Sequence, residues 1–170
     1  MTHKTRQISH ASLIAALYAV LTHMQNILLP NSASMAIQCR ISEALCVLAF
    51  FTPAAIPGLA IGCLVFNITF AAALPLDWLV GSLATLIAAW IMWHIRNIRV
   101  KGYPLPGMLM PALTNAILVG WELELYIGGG FWLNAFCVAL GELIVLLTLG
   151  TALLRVLERN NLAARLFHQG

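Results

Sequence analysis

The residues of this chain that could recognise a ligand are a few carboxylates and one arginine set among long apolar runs. Asp77, Glu122 and Glu124 fall at the same ends of two predicted helices, and Arg40 and Glu43 lie three residues apart at the start of another. Polar groups in or near hydrocarbon are costly and usually face an interior or a wet cavity. Their convergence predicts a ligand pocket, although each acid alone could lie among lipid headgroups, and Arg40 and Glu43 could form a structural ion pair.

Amide and aromatic side chains extend this predicted pocket. Asn67 and Asn134 could hydrogen-bond to a ligand, and Trp121 and Trp132 could stack on a planar heterocycle. Tryptophan is also common as an anchor at the membrane interface, so both interpretations stay open. Glu142, about three turns into the last long helix, is expected to make an interhelical hydrogen bond rather than a ligand contact.

The motifs of several common active sites are missing from the sequence. Cys39, Cys46, Cys63 and Cys137 show no paired spacing such as Cys-x-x-Cys, which favours buried apolar residues over a disulfide or a metal site. There is no P-loop and no His-Glu-x-x-His zinc motif. We therefore expect no enzymatic activity, no metal and no cofactor, and uphill movement of a solute would need an ion gradient or a partner protein.

The composition is that of a membrane protein, so a membrane domain must position these side chains. The 170 residues are 61% hydrophobic and 9% charged, with a mean hydropathy of +0.90. Soluble domains carry about 25% charged residues, and a helical bilayer crossing needs about 20 apolar residues. We predict an all-α integral membrane protein, with a single domain over residues 1–170 that forms a compact bundle of six transmembrane helices.

Proline and glycine divide the apolar sequence into six predicted helices. Their approximate ranges are residues 8–29, 40–51, 54–73, 77–95, 105–125 and 131–156, of which the second is the weakest as a full crossing. With six crossings, eight of the nine Lys and Arg residues fall on one side, whereas five crossings would scatter them. Because such residues are retained on the cytoplasmic side, both termini are predicted to be cytoplasmic, and the net charge of +3 requires no nucleic-acid partner.

Alanines on the first predicted helix form a smooth stripe. Ala11, Ala15 and Ala19 recur every four residues. Small residues at this spacing let a second helix approach closely in a membrane. That helix could belong to the same bundle or to another protein, and the spacing alone does not distinguish the two.

Several blocks of the sequence resemble the QueT family. They are residues 37–45 (IQCRISEAL), 51–59 (FTPAAIPGL) and 61–63 (IGC), and Asp77 followed by residues 81–86 (GSLATL). The resemblance extends over nearly the whole chain, and the Arg-Ile-Ser-Glu-Ala-Leu block is its most specific part. That family comprises substrate-binding S components of energy-coupling factor (ECF) transporters, assigned to queuosine precursors.

The resemblance implies a mechanism as well as a fold. It implies six helices in the bacterial cytoplasmic membrane, a pocket that opens outward and no ATPase of its own. The loaded bundle would associate with a transmembrane coupling subunit and two cytoplasmic ATPases, topple in the membrane and release its substrate inside. The coupling subunit would dock on an alanine motif of helix one, which Ala11, Ala15 and Ala19 match. Residues 30–38 and 126–130 would act as external lids.

The implied substrate is a 7-deazaguanine base such as queuine or its aminomethyl precursor. Its flat ring could stack on one of the two tryptophans, and its adjacent N–H donors suit Asp77, Glu122 or Glu124. Arg40 or Asn134 could donate to the ring carbonyl, and a second carboxylate would complement a cationic amine.

Three alternatives for the function stay open. The chain could be an S component for another small heterocycle or vitamin. It could be a stand-alone, gradient-driven carrier, for which Glu142 is the candidate essential acid. It could also be a non-transporting subunit of a membrane assembly, which would bind no ligand.

Overall fold

The computed structural model of the chain describes residues 2–30, 39–70, 73–159 and 162–167. These residues form helices and one isolated β-bridge, between Val100 and Tyr103, so the all-α prediction is confirmed. The helices are α1 (His3–Leu28), a 3₁₀ helix (Ile41–Phe50), α2 (Ala55–Thr69), α3 (Asp77–His94), α4 (Leu105–Met108), α5 (Met110–Tyr126), α6 (Phe131–Val145), a π-helical turn (Leu146–Gly150), α7 (Thr151–Arg159) and α8 (Leu162–Phe167).

Helix α1 begins before Ile8, the residue at which the sequence predicted its start. Thr2 caps the helix, since its hydroxyl accepts a hydrogen bond from the backbone N–H of Thr5 at 3.3 Å. The apolar pattern could not indicate this start, because the first turns of the helix are polar.

The last long helix is continuous from Phe131 to Arg159, past its predicted end at Val156. The π-helical turn interrupts its regular hydrogen bonding, and the hydroxyls of Thr148 and Thr151 donate to backbone carbonyls in this region. Helix α8 then lies against α1, where the rings of Phe167 and His10 meet edge-on with centroids 5.4 Å apart.

The 3₁₀ helix is the central element of the fold, although it is the weakest crossing by sequence. Eight of its ten residues are buried, and it contacts α1, α2, α3, α6 and α7. Val47 and Leu48 join a core that includes Tyr18, Leu59 and Leu154. Runs of 3₁₀ helix beyond about four residues are uncommon, so contacts on every side must hold this one in place.

The alanine stripe of α1 packs against α2 within the chain. A methyl group on Gly58 would lie 2.8 Å from the carbonyl oxygen of Ala11, and one on Gly62 would lie 2.8 Å from that of Ala15. Ala15 and Ala19 are buried, whereas Ala11 is partly exposed and lines a surface groove. The two glycines of α2 therefore let its backbone approach α1 closely, which is the intramolecular alternative for the stripe.

Two helices among the described residues are long and apolar enough to cross a membrane. They are α1 and the continuous helix Phe131–Arg159. Helices α2, α3 and α5 have 15, 18 and 17 residues, so each spans roughly 22–27 Å, slightly less than the ~30 Å hydrocarbon core. Six full crossings therefore stay a prediction.

The two ends of the bundle differ in charge. The basic end holds the start of α1 and the ends of α3 and α7. Here Arg99 pairs with Glu158 at 2.6 Å, and Arg155 donates to the hydroxyl of Tyr103 at 2.7 Å. The acidic end holds the start of α3, the end of α5 and the start of α6, where the predicted ligand-binding acids lie.

Candidate functional site

Arg40 lies at the centre of a buried polar cluster near the acidic end. It is the residue before the 3₁₀ helix and is only 3% exposed. Its Nη2 atom is 3.7 Å from Oδ2 of Asp77, and its Nη1 is 3.6 Å from Sγ of Cys63. Its guanidinium also lies over the ring of Phe66, 5.7 Å from the centroid. Among the described residues, the ion pair of Arg40 is therefore with α3 rather than with Glu43.

Glu43 instead holds the 3₁₀ helix against α1. One carboxylate oxygen accepts a short hydrogen bond from the hydroxyl of Tyr18, and the other accepts one from Sγ of Cys46 at 3.0 Å. Both oxygens of this buried group are therefore satisfied by the fold itself. Glu43 acts in the structure as a packing residue.

Asn67, near the end of α2, is bound to the start of α3. Its Nδ2 atom donates to the backbone carbonyl of Asp77 at 2.7 Å, whereas its Oδ1 has no hydrogen-bond partner in the described part of the chain. A methyl group on Gly81 would lie 2.9 Å from that Nδ2 and 3.2 Å from Oδ1 of Asp77. Glycine at position 81 thus leaves room for both polar side chains.

Glu122 is a buried acid that has no hydrogen-bond partner among the described residues. Its side chain comes from α5 and is fully buried at 0% exposure. Neither carboxylate oxygen has a hydrogen-bond partner among the described residues. Asp77 and Arg40 are close enough to act on it electrostatically. Because an unsatisfied buried carboxylate is costly, this group points to a ligand that completes its hydrogen bonds.

Glu142 makes the interhelical hydrogen bond expected from the sequence. Its Oε1 atom accepts from Nδ2 of Asn115 at 3.1 Å, which joins α6 to α5. The side chain is 1% exposed, and within the described residues its Oε2 has no hydrogen-bond partner. Glu142 is therefore held in place on one side only.

Glu124 and Asn134 hold the turn between α5 and α6. The Oε2 atom of Glu124 accepts from the backbone N–H of Gly130 at 2.7 Å, and Nδ2 of Asn134 donates to the carbonyl of Gly128 at 3.0 Å. The three glycines of this turn have φ of 77°, 96° and 100°, and residues other than glycine rarely adopt such angles. These two residues order a loop.

The two tryptophans face outward. Trp121 is 48% exposed on α5, and Trp132 is 82% exposed at the start of α6, with its ring against Phe131. The structure does not bring either indole together with Arg40. Their exposure favours the interpretation as interface anchors.

A polar face of α1 was missed by sequence reasoning. Tyr18, Thr22 and Gln25 are all buried along one side of the helix. Thr22 donates to Ser42 at 2.7 Å, and Oε1 of Gln25 accepts from the backbone N–H of Ile41 at 2.7 Å. Their spacing of four and three residues on an apolar helix was the signal that could have revealed them. Together they fix where the 3₁₀ helix begins, and with it the position of Arg40.

The remaining predictions concern the cysteines and the first predicted lid. All four cysteines are free thiols, and within the described ranges no three His, Cys, Asp or Glu residues are arranged to hold a metal ion. Residues 31–38, which form most of the first predicted lid, lie outside the described residues.

Comparison with known proteins adds one finding. The sequence model of the family described as QueT transporter matches residues 8–159. No curated protein and no solved structure matches the chain.

Proposed function

Since the chain belongs to the QueT transporter family, we propose that it is the S component of an ECF importer, which captures a queuosine precursor outside the cell. The family is one of transporters and not of enzymes, which confirms that the chain is not an enzyme. The S-component role, the substrate and the energising partners are what we add to the family's transport function.

The distribution of side chains supports a multi-pass arrangement in the cytoplasmic membrane. Large apolar residues are exposed on the outer faces of α1, α3, α5 and α6, including Leu13, Leu83, Ile117 and Phe136. The charged residues Arg40, Glu43, Asp77, Glu122 and Glu142 are buried inside. An apolar exterior around a charged interior suits lipid rather than water. We propose six crossings with both termini cytoplasmic, so that the acidic end faces outward.

Unsatisfied Glu122 is the single observation that carries the proposed binding site. A guanine-like edge presents adjacent N–H donors, and a carboxylate can accept two of them together. Asp77 and Arg40 lie within electrostatic reach of this group. In the proposal, Glu122 accepts from the ring, Asn67 accepts through its unpartnered Oδ1, and Asp77 complements a cationic amine.

In this proposal the other predicted site residues hold the surrounding structure and do not contact the substrate. Glu43 holds the element that begins after Arg40, and Glu124 and Asn134 hold the turn at residues 128–130. Trp121 and Trp132 face outward and would have to move to stack on the ring. We propose that they anchor the acidic end at the membrane interface.

Docking of the energising partners is proposed on α1. Because Ala15 and Ala19 are buried, the part of the stripe open to a coupling subunit is the edge at Ala11, with the exposed Ile8 beside it in the same groove. The coupling subunit would bring two ATPases, since the sequence of this chain contains no P-loop. The tight α1–α2 contact would let both helices move as a unit when the bundle reorients.

The experiment that tests the function is to purify the chain and identify any bound small molecule by mass spectrometry. Binding of 7-deazaguanine bases, guanine and unrelated vitamins is then measured by calorimetry. We expect an aminomethyl-substituted 7-deazaguanine to bind most tightly. Binding of an unrelated vitamin, with no binding of any 7-deazaguanine, would overturn the substrate assignment.

A gradient-driven carrier is the second candidate, favoured by Glu142 and its unpartnered Oε2. Such a carrier would move substrate into liposomes without ATPases. We expect uptake only when the coupling subunit, both ATPases and ATP are present. Uptake by the chain alone, abolished by Glu142→Gln, would replace the importer by a carrier.

A further inference from the structure

A cavity lies at the basic end, away from the proposed substrate site. Its volume is about 280 Å³, and its walls come from α1, the end of α3, the segment after the 3₁₀ helix and α8. Its polar lining consists of His3, Arg6, Gln7, His10, Thr52 and Arg96. Two arginines and two histidines thus converge on one cavity whose lining contains no carboxylate.

None of the acidic side chains of the protein lines this cavity. The chain has six acidic residues, and five of them, all but Glu158, belong to the buried cluster or to the acidic end. Glu158 is paired with Arg99 at 2.6 Å. In the described part of the chain the guanidinium of Arg6 makes no hydrogen bond or ion pair that would neutralise it.

Arg96 is held in position for binding by its own neighbours. Its guanidinium lies over the Trp93 ring, 3.8 Å from the centroid, and its Nη1 donates to the backbone carbonyl of Trp93 at 2.7 Å. A guanidinium that is fixed in this way loses little conformational entropy when it binds an anion. The first turn of α1 adds the positive end of a helix dipole.

We propose that this cavity binds a phosphate group through Arg6 and Arg96, with His3 and His10 as further N–H donors. Planar guanidinium groups match phosphate oxygens in a bidentate way, which a flexible lysine does not. The volume suits a small headgroup or phosphate ester rather than a drug-sized molecule. The phosphate can come from an anionic lipid or from a soluble ion, and both share this chemistry. The site does not depend on the identity of the transported substrate.

The test uses the full chain in detergent with two phosphate probes. Retention of phosphatidylglycerol against phosphatidylcholine is measured by native mass spectrometry, and inorganic phosphate is titrated while thermal unfolding is followed. Arg6→Gln and Arg96→Gln are compared with Lys101→Gln, which removes a charge from the same end but outside the cavity. Arg6→Lys keeps the charge and replaces Arg6→Gln in the comparison if the glutamine variant does not fold.

We expect at least tenfold weaker phosphate binding in both glutamine variants and Lys101→Gln within threefold of the wild type. Arg6→Lys should lose less than Arg6→Gln, because it keeps the charge but not the bidentate geometry. Selective retention of phosphatidylglycerol would identify a lipid headgroup as the source. Stabilisation by inorganic phosphate without lipid retention would identify a soluble ion. Absence of binding by either probe, or an equal loss in Lys101→Gln, would overturn the proposal.

Discussion

At the scale of single residues, the buried acids divide by whether the fold satisfies them. Glu43 accepts from Tyr18, and Glu142 accepts from Asn115 through one of its two oxygens, so each has a partner on a neighbouring helix. Glu122 is as buried as either but has no such partner among the described residues. The first two acids therefore position helices, and the third is the group that a ligand would satisfy.

The hydrogen bond from Tyr18 to Glu43 gives a test of stability. Tyr18→Phe removes the hydroxyl and leaves a buried carboxylate oxygen without its donor. We expect a loss of about 1–3 kcal/mol in the free energy of unfolding, measured by thermal or denaturant unfolding in detergent. Tyr126→Phe, at an exposed position, is the matched control and should change stability little. Equal stability of the two variants would contradict a structural role for this bond.

The space beside Gly81 gives a test of the site geometry. The methyl group of Gly81→Ala would lie 2.9 Å from Asn67 Nδ2 and 3.2 Å from Asp77 Oδ1, so both side chains must shift. We expect ligand affinity, measured by calorimetry, to fall by about tenfold, since a shifted carboxylate loses a charge-assisted hydrogen bond. Gly150→Ala, where the nearest atom is an ordinary 3.5 Å away, serves as the control and should bind normally.

At the scale of elements, the close contact of α1 with α2 organises the bundle. Gly58 and Gly62 face Ala11 and Ala15, and this approach places Tyr18 above the 3₁₀ helix. The small residues of α1 and α2 therefore lie against each other and allow the two backbones to approach closely. Helix α1 also sets the position of Arg40, because the 3₁₀ helix that follows Arg40 begins where Gln25 of α1 binds Ile41.

A methyl group at position 62 tests this packing. In Gly62→Ala the added atom would lie 2.7 Å from Cβ of Tyr18 and 2.8 Å from the carbonyl oxygen of Ala15. Overpacking of this kind costs typically 1–3 kcal/mol, so we expect a clearly lower unfolding temperature. Gly150→Ala is again the control and should be neutral. A Gly62→Ala variant as stable as the wild type would show that the helices can separate freely.

The sequence predicted where the helices lie better than it predicted which side chains contact each other. Proline and glycine marked the helices, because they act locally on the backbone. The pairing of Arg40 with Asp77 joins residues far apart in the chain, so tertiary packing alone determines it. Trp121 and Glu122 are adjacent in sequence, but successive residues point about 100° apart around a helix. One is therefore exposed while the other is buried, a rotation that spacing could not resolve.

At the scale of the whole molecule, charge is sorted both radially and along the bundle. Charged groups are buried inside an apolar exterior, and the basic residues collect at one end. The first property suits a lipid environment, and the second sets the proposed orientation through retention of Lys and Arg in the cytoplasm. In our proposals each end has its own ligand chemistry, a heterocycle with N–H donors at the acidic end and a phosphate at the basic end.

The orientation can be measured by thiol labelling in intact cells. Trp132→Cys places a thiol at an exposed position of the acidic end, and Lys101→Cys places one at the basic end. We expect a membrane-impermeant maleimide to label the first without permeabilisation and the second only after it, each above the wild-type background. The reverse pattern would place the acidic end in the cytoplasm and contradict capture from outside.

The central claim is that Glu122 receives the N–H donors of a 7-deazaguanine base, and calorimetry on one variant tests it most directly. Glu122→Gln keeps the shape of the side chain but removes a charge-assisted acceptor worth about 1.5–3 kcal/mol, or roughly 10–100-fold in affinity. Glu158→Gln, at the basic end, is the control and should bind as the wild type does. We expect a tenfold or greater loss in Glu122→Gln alone. Affinity equal to that of the wild type would contradict the claim.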